Sequence, residues 1–281
     1  MRPISLDRTR SSNREPSSLE EATEEQRNSR AFVGTRRVIV ALPAFNEEAA
    51  IGVLLERITQ SLDSQPLRYK IVVVDDGSSD QTAEVVRDFS EHASVQLVQH
   101  QINQGLGTAL RTAFDESLRQ ANDNDIILTM DADNTHPPEL MHRMIQLIEE
   151  GHDVIIASRF ERGARVVGVP FHRHLLSIGA KYLFAGLMPI KGVRDYTCGY
   201  RAYRASVLKA AIEEHGENFV SESGFSCMVD VLLKLRRQKP IISEVPLVLR
   251  YDHKGNPSKM KVVRTIMQTL RLVVSRRFGK V

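Results

Sequence analysis

Long hydrophobic runs are missing from this chain of 281 residues. No stretch approaches the roughly eighteen uninterrupted apolar residues that mark a spanning helix. The least polar segment, Leu175 to Ile190, is broken by Ser177 and Lys181 and suits a half-buried helix. The N-terminus has no apolar signal-peptide core, so the chain is expected to stay in the cytosol. Cysteine is scarce: Cys198 and Cys227 have no metal-ligand spacing and read as free thiols of a reducing compartment. Helix-turn-helix, zinc-finger and stacking-platform patterns are also absent, which excludes nucleic acid as the expected partner.

What is present is the composition of an ordinary soluble protein, 42% hydrophobic and 26% charged, enough for one large α/β domain with extensions. The net charge of +3 is unevenly placed. From Arg250 to Val281 there are nine Lys or Arg residues against Asp252 alone. A basic tail on a mildly acidic body points to an anionic partner, a phosphate-bearing substrate or a membrane surface. Residues 1–34 are rich in Arg, Ser and Glu without a sustained period and read as a disordered leader. Residues 35–260 read as the folded domain. Residues 261–281 read as a basic amphipathic helix, with Val262, Val263, Ile266, Met267, Leu270, Val273 and Val274 as its apolar stripe.

Within the domain, buried strands alternate with one-faced helices. Strands are expected at Arg37 to Leu42, Lys70 to Val74, Val95 to His100, Asp125 to Met130 and Val154 to Ser158. Helices are expected at Glu48 to Leu62, Gln81 to Glu91, Gly105 to Leu118 and Glu139 to Glu150. The second helix would be capped by Ser79 or Asp80. This alternation implies a mostly parallel sheet covered by helices on both faces. Past Arg159 the pattern loosens: a helix at Leu176 to Leu187, a loop to Tyr203, helices near 206–214 and 225–237, and a strand near Ile241 to Leu249.

Three strand ends carry polar clusters: Pro43 to Glu47, Asp75-Asp76-Gly77-Ser78, and Asp131 to His136. In a parallel sheet all three emerge at the carboxyl edge, where such sheets bind ligands. Asp131 and Asp133 follow an apolar run, and i, i+2 alternation would point both the same way. Such a pair suits a hard divalent cation that bridges to phosphates. One Asp-x-Asp alone reads more readily as a turn; three clusters in order are a stronger signal. His136, before two prolines, reads as packing for the turn.

Pro43-Ala44-Phe45-Asn46-Glu47-Glu48, Val74 to Ser78, Asn103 to Thr108 and Asp131 to Glu139 together resemble a family 2 glycosyltransferase with the GT-A fold. Within the family the nearest likeness is to polyprenyl-phosphate sugar synthases of the dolichol-phosphate mannosyltransferase type. The resemblance implies that Pro43, Phe45, Glu47, Val74 and Asp76 hold the nucleotide. Asp131, Ala132 and Asp133 would line its diphosphate, with Mg²⁺ or Mn²⁺ on the two carboxylates. Arg159 would meet phosphate, and Arg173 and Ser177 the acceptor phosphate. Asp195 to Ala202 and Glu244 to Pro246 are similar to later family segments, with Arg250, Lys254 or Lys259 as closing cations. Thr135 stands where a metal-supporting Gln is common, and Cys198 where Ser is.

The implied reaction is inverting transfer of a hexose, mannose from GDP-mannose by closest likeness, to a polyprenyl phosphate. It would take place at the cytoplasmic membrane surface, with the basic tail or an anchoring subunit as contact. The alternative is a UDP-sugar donor and a hydroxyl acceptor, which requires a carboxylate base; Glu222 and Asp195 are the nearest candidates. The processive synthases of the family carry Gln-x-x-Arg-Trp, and this chain has no Trp. A non-catalytic scaffold is the third reading, separated from the enzymes by turnover alone.

Overall fold

The computed structural model describes residues 36–169 and 171–253, with side chains for all of these except 171–176 and 253. The expected leader, residues 1–34, and terminal helix, residues 261–281, lie outside the described residues, as do Pro170, Lys254, Ser258 and Lys259.

Strands β1 (Arg37–Ala44) and β2 (Arg68–Asp75) pair in parallel from Arg37↔Arg68 to Ala44↔Asp75. Val38 to Leu42 and Ile71 to Val74 have no exposed surface, as parallel strands covered on both faces require. β3 (Val95–Gln99) joins β2, and β4 (Ile126–Thr129) joins the other side of β1. Between the strands run α1 (Glu48–Asp63), α2 (Thr82–Ser90) and α3 (Leu106–Gln120). α1 buries Ile51, Leu54, Leu55, Ile58 and Leu62, a single helix face at three- and four-residue spacing.

The chain steps outward through β1, β2 and β3, then crosses back to β4. Right-handed crossovers in opposite directions put α1 and α2 on one face and α3 on the other. Accordingly α1 packs on α2, while α3 lies against β1 and β2. The strand order reverses between β1 and β4. Open α/β sheets bind ligands at such a reversal, outside the carboxyl ends of the strands.

Beyond β4 the sheet departs from expectation. α4 (Leu140–Glu149) leads to β5 (Val154–Ser158), yet β5 does not pair with β4. A strand that had read as loop, β7 (Arg201–Arg204), lies between them and runs antiparallel to both. Its sequence, RAYR, has neither an apolar run nor alternation, so nothing local marks it. Tertiary contacts hold it instead. The buried Arg201 guanidinium donates to the carbonyls of Met228 at 2.7 Å and Tyr196 at 2.8 Å. Tyr203 meets Phe114 edge-on, with ring centroids 5.7 Å apart.

The sheet order is β3-β2-β1-β4-β7-β5-β8, with β8 (Ile242–Pro246) parallel to β5. The strand expected over Ile241 to Leu249 is cut at the buried Leu247. It continues as β9 (Val248–Arg250), paired with β6 (Arg165–Val167) in a separate ribbon. α5 (Phe171–Leu187) starts earlier than expected, and α6 (Ala205–His215) and α7 (Cys227–Leu235) follow it. Among the described residues no helix is long and apolar enough to cross a membrane.

Phe114 on α3 is fully buried and packs on both Tyr203 and Phe219. Phe114→Ala is expected to lower the unfolding free energy by about 3–5 kcal/mol, measured by denaturant titration. A loss under about 1 kcal/mol would mean that this contact does not secure β7.

Candidate active site

The loops after β1 and β2 are laced together. Asn46 takes a left-handed backbone conformation, φ 52°. Its N–H donates to Ser78 Oγ at 2.8 Å, and its Oδ1 accepts from the Ser79 N–H at 2.8 Å. The Glu47 N–H donates to Thr82 Oγ1 at 2.8 Å. Asp80 accepts from the N–H groups of Thr82 at 3.0 Å and Glu48 at 3.3 Å. One side chain thus satisfies early donors of two helices, so Asp80, more than Ser79, fills the expected capping role. Phe45 and Glu47 are half-buried on this clasp, beside Pro43. Pro43 pairs in register with Val74, whose side chain is wholly in the core.

Asp76 is buried at the same edge. Its carboxylate accepts from the N–H groups of Gln104 at 3.0 Å and Gly105 at 2.8 Å, and pairs with His100 Nδ1 at 2.7 Å. His100 Nε2 in turn lies 3.0 Å from Thr112 Oγ1. Asp76 therefore also anchors the loop that opens α3. Gly77, at φ 69°, lets that loop close over it, since a Cβ there would collide with the backbone of Ile102 and Asn103. A lone His at a strand end carries no local signal, so nothing in the sequence marks His100.

β4 ends at Thr129, so Asp131-Ala132-Asp133 forms a turn and the expected strand alternation does not apply. The two carboxylates are unequal: the Asp131 side chain is 40% exposed, whereas Asp133 and Ala132 are buried. Asp133 Oδ1 accepts from Thr135 Oγ1 at 2.7 Å and the Thr135 N–H at 3.2 Å. The Asp131 N–H donates to His136 Nδ1 at 3.4 Å, and the His136 ring stacks on Tyr200 with centroids 5.2 Å apart. His136 packs the turn, as expected, and also steadies Asp131. The Thr135 carbonyl accepts from the Arg250 N–H at 3.0 Å, which brings β9 against the turn. The Arg250 guanidinium is paired with Asp252 at 2.8 Å.

Two carboxylates in one turn fit a hard cation that leaves most of its coordination to water and phosphate oxygens. Among the described residues no group of three or more His, Cys, Asp or Glu could hold a metal.

Arg159, just past β5, is held by Asp195 along its fork: Nε to Oδ2 at 2.8 Å and Nη2 to Oδ1 at 2.7 Å. Nη2 also reaches Thr197 Oγ1 at 2.5 Å, and Nη1 lies 3.5 Å from Ser177 Oγ on α5. Two predicted site residues, Arg159 and Ser177, therefore meet. The side chain of Arg173, on the same helix, is outside the described ones. Burial by itself raises the Asp195 carboxyl, but the charge and hydrogen bonds of Arg159 outweigh it and hold Asp195 below its ordinary value. A fully buried carboxylate locked in this way is a poor general base. Both thiols are buried and pushed up to about 12 by that burial, so neither is a nucleophile near neutral pH. Glu222 is half-buried; its carbonyl presses on Gly107 and its carboxylate accepts from Ser226 Oγ at 3.1 Å.

Residues 39–211 match the sequence profile of glycosyl transferase family 2. The chain is 33% identical over 236 residues to a dolichol-phosphate mannosyltransferase of Pyrococcus furiosus, across 84% of this chain and 62% of that protein. It therefore spans less than two thirds of that relative's length. A polyprenol monophosphomannose synthase of Mycolicibacterium smegmatis is 30% identical, across 76% of this chain and 77% of that one. In structure the chain is similar to glucosyl-3-phosphoglycerate synthase of Mycobacterium tuberculosis, crystallised with Mn²⁺, UDP and phosphoglyceric acid. The TM-score is 0.64 at 20% identity, covering 91% of this chain and 83% of that one. That likeness confirms the α/β fold as GT-A.

A carboxylate whose folded pKa is depressed adds stability above its unfolded pKa and loses it as pH falls through the folded value. Asp195→Asn leaves the Arg159 charge buried and unpaired, and is expected to cost about 3–5 kcal/mol at neutral pH. The variant should also lose less stability than wild type on acidification below about pH 4. Denaturant unfolding across this range checks both; parallel pH profiles for the two proteins would contradict the assignment.

Proposed function

The chain belongs to glycosyl transferase family 2, and from that premise we propose that it moves a hexose from a nucleotide sugar to a polyprenyl phosphate at a membrane surface. That it is a glycosyltransferase follows from the family; the donor, acceptor and location are the proposal. The observation that carries the acceptor is the meeting of Arg159 with Ser177 at 3.5 Å. It joins a fixed cation to a helix, α5, that has no acidic residue and leaves Tyr182 68% and Leu187 41% exposed. A phosphate headgroup at Ser177, Arg159 and Arg173 with its apolar chain along α5 would use both features. A phosphate monoester is already an anion near neutral pH and needs little help from a base, which agrees with Asp195 being locked to Arg159. The relatives named for dolichol and polyprenol phosphates support the same acceptor class.

The donor would lie across the reversal between β1 and β4. Pro43, Phe45, Glu47 and Asp76 would hold the nucleoside, with Val74 behind them as the register partner of Pro43. Asp131, Ala132 and Asp133 line the diphosphate, with Arg250 and Lys259 as further cations. Asp131 and Asp133 would hold Mg²⁺ or Mn²⁺, which as a Lewis acid neutralises charge on the leaving diphosphate. Arg159, preorganised by Asp195, adds fixed positive charge with little reorganisation during the reaction. Attack by the acceptor oxygen opposite the leaving group inverts the anomeric centre. GDP-mannose is the donor favoured by the mannosyltransferase relatives. Contact with the cytoplasmic face of the membrane would come from the basic tail, α5 or an anchoring subunit.

Wild-type protein with Mn²⁺ should transfer sugar to a short polyprenyl phosphate and fail with the dephosphorylated alcohol. Asp133→Ala should lower transfer by about 10²–10³-fold. Equal turnover with the alcohol would favour the second reading, a hydroxyl acceptor with Glu222 as base. No transfer or donor hydrolysis across GDP- and UDP-sugars would leave only a scaffold.

A further inference from the structure

Arg57 lies on α1, far in sequence from the carboxylate turn that it touches. Its Nη1 donates to Asn134 Oδ1 at 2.7 Å, and its Nη2 reaches both Glu139 carboxylate oxygens at 3.2 and 3.3 Å. Asn134 directly follows Asp133 and is one of only three non-glycine residues with positive φ among the described residues, at 59°. Asn tolerates this left-handed conformation better than most side chains, but only when local bonds favour it. One guanidinium therefore spans the segment from Asn134 to Glu139 and holds the turn against the start of α4. On its other side the turn is tied through the Thr135 carbonyl to the Arg250 N–H. The Arg57–Glu139 contact is exposed, with Glu139 at 64%, and surface pairs of that kind contribute little. The part-buried, charge-assisted bond to Asn134 is the stronger of the two.

We propose that Arg57 is a positioning residue: it fixes Asn134 in the left-handed conformation and so sets where Asp133 presents its carboxylate to a divalent cation and diphosphate. This rests on the cation assignment under Proposed function. α1 begins at Glu48, directly after Glu47, so one rigid helix would set both the nucleotide loop and the cation turn. No step of the transfer passes through Arg57 itself.

The test is direct Mn²⁺ binding to the full chain, read by electron paramagnetic resonance with GDP or UDP present and no sugar transfer required. Arg57→Ala and Asn134→Gly should each raise the Mn²⁺ dissociation constant about tenfold, the effect typical of partners behind a metal ligand. Arg57→Lys keeps the charge but loses the fork, and should fall between; it also keeps the test valid if Arg57→Ala misfolds. The double variant should bind no more weakly than either single one, because both remove the same bond. Glu139→Gln should stay within about twofold of wild type. Dissociation constants for Arg57→Ala, Arg57→Lys and Asn134→Gly within about twofold of wild type, or multiplying effects in the double, would overturn the role of Arg57 alone. A wild-type chain that binds no Mn²⁺ with either diphosphate would overturn the cation assignment and this role together.

Discussion

Parallel pairing of β1 with β2 on one side and β4 on the other is the constraint on which the site depends. A parallel ladder aligns strand ends, so whatever follows Ala44, Asp75 and Thr129 must leave the sheet at one edge. The return from β3 to β4 reverses the direction of crossover and sends α3 to the opposite face. Open α/β sheets bind ligands at such a reversal, and it arises from strand order alone. The loops after β1 and β2 and the carboxylate turn are neighbours because their strands are. Asp76 illustrates the economy of the arrangement: it stands at this edge and, with the same carboxylate, anchors the loop that begins α3.

Burial of charge is the second organising feature. Asp195 has no exposed surface and the Arg159 side chain is 19% exposed. Each charge would be costly alone, and together their fork satisfies most of the hydrogen-bonding capacity of both. Backbone N–H groups of Arg159, Thr197 and Cys198 also donate to the Asp195 carboxylate. The pair thereby joins the end of β5 to the segment leading into β7, with Ser177 of α5 in reach. A second buried pair, Asp230 with Lys234 at 2.5 Å, ties α7 to Ser221 and to the carbonyls of Asn218 and Phe219. That steadies the strip of chain on which Gly105 and Gly107 rest. Both pairs fix loop segments to the helices and strands beside them.

Legibility from the sequence varied with the range of the forces involved. β1, β2, α1 and α3 were readable because an apolar run or a helical stripe states its own burial. The polar ends Pro43 to Glu47 and Asp131 to His136 were readable because residue type and strand order together imply convergence. β7 was not, since RAYR is held by Phe114 and by carbonyls from Met228 and Tyr196, all remote in sequence. Asp195 read as a possible base and as the head of a family-like segment; nothing in DYTCGY announces that its partner is Arg159, thirty-six residues earlier. The alignment of Asp131 and Asp133 by strand alternation failed because the strand stops before them. Arg57 and His100 were silent for the same reason as Asp195: each is one polar residue in an otherwise ordinary element.

By itself, then, the order of residues determined the α/β class, the parallel half of the sheet, the edge at which the polar strand ends emerge and the family to which the chain belongs. These follow from local periodicity and from short motifs whose chemistry lies within a few residues. Only the tertiary structure decided that an antiparallel strand separates β4 from β5, that Arg159 is already forked onto Asp195, and that Arg57 clamps the residue after Asp133. Such pairings join charged or polar groups dozens of residues apart. Their energies depend on distance and burial, which exist only once the chain has closed on itself.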